Sequence, residues 1–211
     1  MNIEKLLNKA DSVWDQYVPI ISDKNHTTAY LTDNIEEPSC YNELCFKLKT
    51  ASPAEVFTLI INTYGGMLDS ALMLVDAIKN SQAKIKAHIS GTVASAGTII
   101  ALACDELEVA DHTAFMIHNY SGGLSGKGHE LKAHQEFVDA NLNNSFTSLY
   151  GGFLSPAEIK KVIDGKDYWM GKDEVLTRFA NRASNTHLEA PTPCCDQTPT
   201  PAKRGRPSKA I

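Results

Sequence analysis

Apolar residues recur at two spacings along this chain, every three to four residues in some segments and every second residue in others. The first spacing matches one face of a helix, and it runs from Ile3 through Leu6 and Leu7 to Tyr17, before Pro19. Later segments repeat this spacing or carry helix-boundary residues, as Ser155 to Glu158 do with the capping-box form S-x-x-E and a proline. The predicted helices are approximately residues 3–17, 38–52, 67–78, 95–104, 129–150 and 155–165.

The second spacing and several short apolar runs predict strands between these helices. Residues 84–90 alternate apolar and polar side chains, whereas residues 56–62 form a largely apolar run typical of a strand buried on both faces. The predicted strands are residues 27–32, 56–62, 84–90, 106–110 and 114–119. Strands that alternate with helices of this length favour right-handed βαβ units, and so predict an α/β fold with a mostly parallel sheet.

Length and composition fit one globular domain. The chain has 211 residues, 43% of them hydrophobic and 21% charged, and no apolar run approaches the roughly 20 residues that cross a membrane. Its first residues include acids and lack the apolar core of a secretory signal, so we expect a cytoplasmic protein with no membrane association. The five cysteines have no metal-ligand spacing, and we expect neither a metal nor another cofactor.

Ser95 stands between Ala94 and Ala96, where a predicted strand gives way to the helix of residues 95–104. One explanation of these small residues is that they let the helix pack closely on the sheet. A serine at the start of a helix that follows a strand also projects its oxygen from the end of the sheet, where the helix dipole favours negative charge. The alanines leave room for a substrate carbonyl, which makes Ser95 a candidate nucleophile.

His118 ends an apolar strand beside a glycine-rich loop, and a side chain at that end of a strand can project into a cleft. Neutral imidazole has a suitable pKa for a general base near neutrality. A third group would orient the histidine, and the spacing alone leaves three carboxylates open: Asp164, Asp167 and Asp173.

Hydrolysis of an amide also needs donors for the developing oxyanion. Gly65 and Gly66 directly follow a predicted buried strand and could present backbone N–H groups without a side chain in the way, although a simple turn would use the same two glycines. The N–H of Ala96, next to the candidate nucleophile, is a second donor.

Several motifs, in the same order, resemble the proteolytic subunit of the Clp protease over roughly residues 25–175. "LIINTYGG" is similar to the family's I-N-S-P-G-G turn, and "GTVASAGTIIALA" to its nucleophile motif G-x-A-A-S-M-G-x-x-L-L. "AFMIHNYSGGLSGKGHEL" resembles its M-I-H-Q-P-x-G-G-x-x-G segment, and "IDGKDYWMGKDEV" the segment around its triad aspartate.

This resemblance implies a crotonase-like fold with a protruding strand–helix handle, and a serine endopeptidase that cleaves unfolded proteins and peptides through an acyl-enzyme. It implies Ser95 as nucleophile, His118 as base, Asp167 as the orienting carboxylate, and the N–H groups of Gly66 and Ala96 as oxyanion donors. The glycine-rich segment would hold extended substrate by strand addition, through Gly122, Gly123, Leu124, Ser125 and Gly126.

The same resemblance implies partners. Members of the family form homo-oligomers of two stacked seven-membered rings, joined through the long helix of residues 129–150, and can work with an AAA+ unfoldase. The chain departs from the family's pattern at Tyr64, Ala96, Asn119 and Tyr120, which puts its peptide preference in question. Two alternatives stay open: a crotonase-like acyl-CoA enzyme, whose paired N–H groups stabilise an enolate, and a catalytically silent ring subunit.

Composition changes near residue 184. Residues 184–211 hold five of the nine prolines and four basic side chains against two acidic ones, so we expect a disordered tail after a domain of residues 1–183. The segment "AKRGRPSK" resembles an AT-hook, which implies a contact of residues 203–209 with A·T-rich DNA through Arg204 and Arg206 in the minor groove. A basic solubilising tail or a tag read by an adaptor fits the same residues.

Overall fold

The computed structural model describes residues 18–123 and 125–186. Its strands are β1 Ile20–Asp23, β2 His26–Leu31, β3 Val56–Thr63, β4 Lys84–Ala94, β5 Glu106–Val109, β6 Ala114–Ile117 and β7 Tyr168–Met170. Its helices are α1 Asn42–Thr50, α2 Leu68–Lys79, α3 Ala96–Ala103, α4 Gly128–Tyr150, α5 Pro156–Ile163 and α6 Lys172–Thr186, with a 3-10 turn at Pro38–Tyr41. The predicted helix of residues 3–17 lies outside the described residues.

The strands form one sheet in the order β1-β2-β3-β4-β6-β7, with β5 also paired to β4. The pairs β2–β3, β3–β4, β4–β5 and β4–β6 are parallel, and the edge pairs β1–β2 and β6–β7 are antiparallel. Helix α2 joins β3 to β4 and α3 joins β4 to β5, which are the predicted βαβ units. The mostly parallel sheet and the five predicted strands are therefore confirmed.

The core lies between the sheet and the helices. Strand β3 buries Phe57, Leu59 and Ile61 on one face, while the side chains between them are only half-buried and Asn62 is exposed. The prediction of a strand buried on both faces was therefore wrong in this respect, because only one face of β3 is fully covered.

Strand β4 changes partner along its length, and this change positions the site. Its first part pairs with β5 through Lys86–Ile89, whereas Thr92–Ala94 pair with β6. Between the two parts the register with β3 shifts, so that Ile61 faces Ile89 but Thr63 faces Val93. Gly91, with φ +64°, lies in this irregularity, and the N–H of Thr92 donates to Oδ1 of Asn62 at 3.2 Å. The end of β4 is thereby directed toward β6 rather than β5.

The predicted long helix is present as α4, and residues 119–123 and 125–127 before it are irregular. Only Phe146 and Tyr150 of α4 are buried, both in its last turns, so most of the helix projects from the domain. Helix α6 continues to Thr186, and the boundary near residue 184 stays a prediction because residues 187–211 lie outside the described part of the chain.

Candidate active site

Ser95 occupies a strained turn between β4, which ends at Ala94, and α3, which begins at Ala96. Its φ and ψ angles are 52° and −124°, a conformation that costs a residue with a side chain about 1–3 kcal/mol. A sharp strand-to-helix turn of this kind is what exposes a nucleophilic serine oxygen at the end of a sheet. The local geometry therefore favours the catalytic explanation of Ser95, because close packing alone does not require a positive φ at a serine.

Hydrogen bonds hold both backbone groups of Ser95. Its N–H donates to the carbonyl of Met116 on β6 at 3.0 Å. Its carbonyl accepts from the N–H of Thr98 at 3.0 Å and from the Thr98 hydroxyl at 2.6 Å. The strained turn is thus fixed from the neighbouring strand on one side and from the first turn of α3 on the other.

His118 directly follows β6, the strand that pairs with the end of β4. Thr92, Val93 and Ala94 face Ala114, Phe115 and Met116 in parallel register. Ser95 and His118 therefore leave the carboxyl ends of adjacent strands, and both are half-buried and line the same cavity. The expectation that His118 shares a cleft with Ser95 agrees with this geometry.

Asp167 immediately precedes β7, which pairs with β6 in antiparallel register, Ile117 facing Tyr168. Extending this register by one residue puts Asp167 opposite His118, and residues directly opposite in an antiparallel pair point to the same side. Asp164 instead is the C-cap residue that follows α5, and Asp173 lies in the first turn of α6. Asp167 is exposed and does not line the cavity, and its carboxylate has no hydrogen bond to His118 among the described contacts.

Asn119 is a residue whose role the sequence did not indicate. Its side-chain amide donates to the carbonyl of Ile163 at the end of α5 at 2.9 Å, and its Oδ1 accepts from the N–H of Tyr120 at 2.8 Å. Asn119 thereby ties the segment after His118 to the loop that leads to Asp167. Only its unusual identity after the histidine marked it in the sequence.

Gly65 lies against the Ser95 turn and Gly66 against the backbone of Ile35, with φ angles of +104° and +146°. A Cβ on Gly65 would lie 2.7 Å from Cβ of Ser95, so no larger residue fits there without moving Ser95. The bridge between Ile35 and Gly66 uses the carbonyl of Gly65 and the N–H of Met67, which leaves the N–H of Gly66 out of it. The N–H of Ala96 belongs to the first turn of α3, where no intrahelical acceptor exists.

A cavity of about 1330 Å³ extends from these residues along α4. Ser95, Ala96, Gly66 and His118 line one end of it, and apolar side chains of the long helix line another part, among them Leu131, Phe137, Val138, Leu142 and Phe146. Gly122 and Gly123 also line it, whereas Ser125 and Gly126 are exposed and absent from its lining. Leu124 lies outside the described residues, so substrate pairing along this segment stays a prediction.

Residues 23–177 match the family described as Clp protease. The chain belongs to this family. A proteolytic subunit of an ATP-dependent Clp protease from Streptococcus suis is 27% identical over 182 residues, which cover 80% of this chain and 88% of the relative. Subunit 3 from Rhizobium meliloti is 32% identical over 121 residues, covering 55% of this chain and 60% of that protein.

The fold agrees with this membership. The solved structure of a ClpP1 mutant from Listeria monocytogenes superposes with a TM-score of 0.56 at 24% identity, and the match covers 72% of this chain and 86% of that one. The Clp protease resemblance and the crotonase-like α/β fold predicted from the sequence are therefore confirmed, and the chain is a protease of the Clp type.

The predictions on membrane association, metal binding, cysteines and DNA contact concern parts of this Clp protease family member outside the candidate active site. Within residues 18–123 and 125–186, no helix is long and apolar enough to cross a membrane, and no cluster of three or more potential ligands could hold a metal ion. Cys40, Cys45 and Cys104 are free thiols, and burial raises the pKa of the Cys104 thiol, which makes it less reactive. The predicted DNA contacts, Arg204 and Arg206, lie outside the described residues.

Proposed function

We propose that this protein is a serine-type endopeptidase, the proteolytic subunit of a self-compartmentalised Clp-like protease. The observation that carries the proposal is the strained turn at Ser95, which adjoins Gly65 and faces the same cavity as His118. A crotonase-type acyl-CoA enzyme would need the paired N–H groups but neither a serine in this conformation nor a histidine beside it.

The residues take the following roles. Ser95 Oγ attacks the scissile carbonyl carbon while His118 accepts the hydroxyl proton, and the N–H groups of Gly66 and Ala96 stabilise the resulting oxyanion. Collapse of the tetrahedral intermediate breaks the C–N bond, and His118 returns the proton to the leaving amine. Water, deprotonated by His118, then attacks the acyl carbon; the bond from that carbon to Ser95 Oγ breaks, and His118 returns the proton to Ser95. Asp167 orients His118 and stabilises its charged form, for which its register position opposite His118 is the support.

The proposal extends to partners. Substrate peptides add as a strand along residues 122–126, and copies of the chain form stacked seven-membered rings that enclose the sites in the cytoplasm. An AAA+ unfoldase supplies unfolded chains, and the basic segment of residues 203–209 contacts A·T-rich DNA weakly. The support for assembly is membership of the Clp protease family together with the projecting α4; the DNA contact is supported only by the sequence around Arg204 and Arg206.

A fluorogenic peptide assay on size-fractionated protein tests the peptidase. Wild-type protein should cleave the peptide in a high-mass fraction, and Ser95→Ala should lower kcat by at least ~10³-fold because the nucleophile is lost. A fluorophosphonate probe should label the wild type at Ser95 and leave the variant unlabelled. Cleavage unchanged in Ser95→Ala would contradict the proposal, and a folded, assembled wild type that neither cleaves nor reacts would identify a silent subunit instead.

A further inference from the structure

The turn at Ser95 is connected to the base of the projecting helix α4 by a buried chain of hydroxyl groups. Thr98 Oγ1 donates to the carbonyl of Ser95 at 2.6 Å, and the hydroxyl of Tyr150 lies 2.9 Å from Thr98 Oγ1. A threonine hydroxyl has one proton, and here it is committed to Ser95. The Tyr150 hydroxyl is therefore the donor to Thr98, and the chain has one direction, from α4 to the nucleophile.

Both hydroxyl groups are out of contact with water. Thr98 is 0% exposed and Tyr150 is 2% exposed. Burial raises the pKa of Tyr150 to about 12, so the phenol keeps its proton across the pH range in which a histidine base works. In such surroundings, loss of one hydrogen-bond partner leaves a buried polar group unpaired. Each hydrogen bond between these hydroxyl groups therefore strongly restrains the position of the groups it joins.

The base of α4, meaning its last turns from Phe146 to Tyr150, is also linked to the C-terminal end of α3. Arg182 on α6 donates to the carbonyl of Leu102, near the end of α3, at 2.9 Å, and to the carbonyl of Leu149 on α4 at 3.3 Å. Phe146 packs against the Tyr150 ring with 5.6 Å between ring centroids. The last turns of α4 are thus linked to α3 at two places, directly at Thr98 and through Arg182 of α6 at Leu102, and α3 is the helix that follows Ser95.

We infer that Thr98 and Tyr150 are positioning residues for the nucleophile, through which the base of α4 holds the Ser95 turn in its strained conformation. This inference rests on the proposed peptidase. The carbonyl of Ser95 accepts two bonds from Thr98, and loss of the stronger, side-chain bond lets φ of Ser95 relax. Relaxation moves Oγ relative to His118 and to the N–H of Ala96, and displacements near 1 Å can cost up to about 10²-fold in rate.

Substitution at Thr98 separates the hydrogen bond from packing. Thr98→Val keeps the shape and removes the donor, and we expect kcat to fall about 10-fold with KM within about twofold of wild type. Thr98→Ser keeps the hydroxyl and should retain most of kcat. The rate of fluorophosphonate labelling at Ser95 should follow kcat, because it reports nucleophile geometry without peptide binding. Tyr150→Phe should lower kcat less, and Thr98→Val/Tyr150→Phe should lose no more than Thr98→Val alone, since both act through one chain.

Thr113→Val is the matched control. Thr113 is also buried and donates its hydroxyl to a backbone carbonyl, that of Ile89, at 3.2 Å, but it lies outside the site. It should lose thermal stability comparably to Thr98→Val while kcat and labelling rate stay at the wild-type level. The inference would be overturned by equal kcat values in Thr98→Val and Thr113→Val, or by equal losses of kcat in Thr98→Ser and Thr98→Val. An active wild-type protein would still support the proposed peptidase in either case. An unreactive Ser95 in assembled wild type would instead remove the proposed function, and this inference with it.

Discussion

At the scale of single residues, the site combines a strained backbone conformation at Ser95 with small neighbouring residues that leave the site unobstructed. Ser95 adopts a positive φ, and Gly65 packs so closely on it that even a methyl group would contact Cβ of Ser95 at 2.7 Å. Such strain persists only where the surroundings fix it, here the hydrogen bonds to Met116 and Thr98. Strain of this kind clusters at functional sites, which supports the proposed role of Ser95.

The choice among the three carboxylates gives a prediction at this scale. Asp167→Asn should lower kcat by about 10²-fold or more, because an amide cannot stabilise the charged histidine and can select the wrong tautomer. The assay is peptide hydrolysis at saturating substrate, with thermal unfolding to establish that the variant folds.

Asp164→Asn and Asp173→Asn are its matched controls, since both carry the same change on neighbouring elements. Each should keep kcat within about twofold of wild type. If Asp164→Asn or Asp173→Asn loses much of kcat while Asp167→Asn keeps it, the orienting role belongs to the carboxylate whose substitution causes the loss.

At the scale of elements, α5 begins as its sequence predicts. The Ser155 hydroxyl accepts from the N–H of Glu158 at 3.3 Å, and the Glu158 carboxylate accepts from the N–H of Ser155 at 2.8 Å, so the capping box is complete. Arg178 on α6 adds hydrogen bonds of 2.8 and 3.1 Å to the same carboxylate. This pair joins α5 to α6 and so fixes the two helices that flank Asp167 and β7.

A pH-dependent stability follows from this pair. Arg178 foremost, and then the hydrogen bonds from Ser155, lower the pKa of Glu158 to about 2. The carboxylate therefore binds its proton more weakly in the folded chain, and its contribution to stability is complete above the unfolded pKa of about 4.3 and lost as the pH falls toward 2. Glu158→Gln should lower the free energy of unfolding by about 1–2 kcal/mol at pH 7.

Urea unfolding at several pH values measures this effect. The difference between wild type and Glu158→Gln should shrink steadily as the pH falls from about 4.5. Glu174→Gln is the control, because Glu174 also pairs with Arg178 but is about half exposed, and it should cost less at pH 7. A difference that stays constant down to pH 3 would contradict the assignment.

At the scale of the whole molecule, most of helix α4 is not covered by the rest of the domain. It has 23 residues, about 35 Å of length, and only Phe146 and Tyr150 are buried. Phe137, on its projecting part, is 68% exposed. Phe137 also lines the cavity that extends from Ser95, and we include its exposed ring in the proposed contact between rings.

A charge at that position should separate the rings. Phe137→Glu should lower the mass of the assembly, measured by size-exclusion chromatography with light scattering, to about half the wild-type value, because two carboxylate-bearing surfaces then meet. Asn143→Glu adds the same charge elsewhere on α4 and should keep the wild-type mass. A wild type that elutes at the mass of a single 23.0 kDa chain would refute the assembly.

The sequence by itself determined the helices and strands from residue 27 to residue 163, the βαβ order, the cap of α5, and the candidates Ser95, His118 and Gly66. These features depend on spacing and residue type within short segments, which periodicity and motif order record. The tertiary structure alone decided the antiparallel edge strands, the shift of β4 from β5 to β6, and the register that sets Asp167 opposite His118. It alone joined Thr98 to Tyr150, 52 residues apart. Local periodicity states which face of an element is apolar, but pairing partners and buried hydroxyl contacts depend on which distant segments the core brings together.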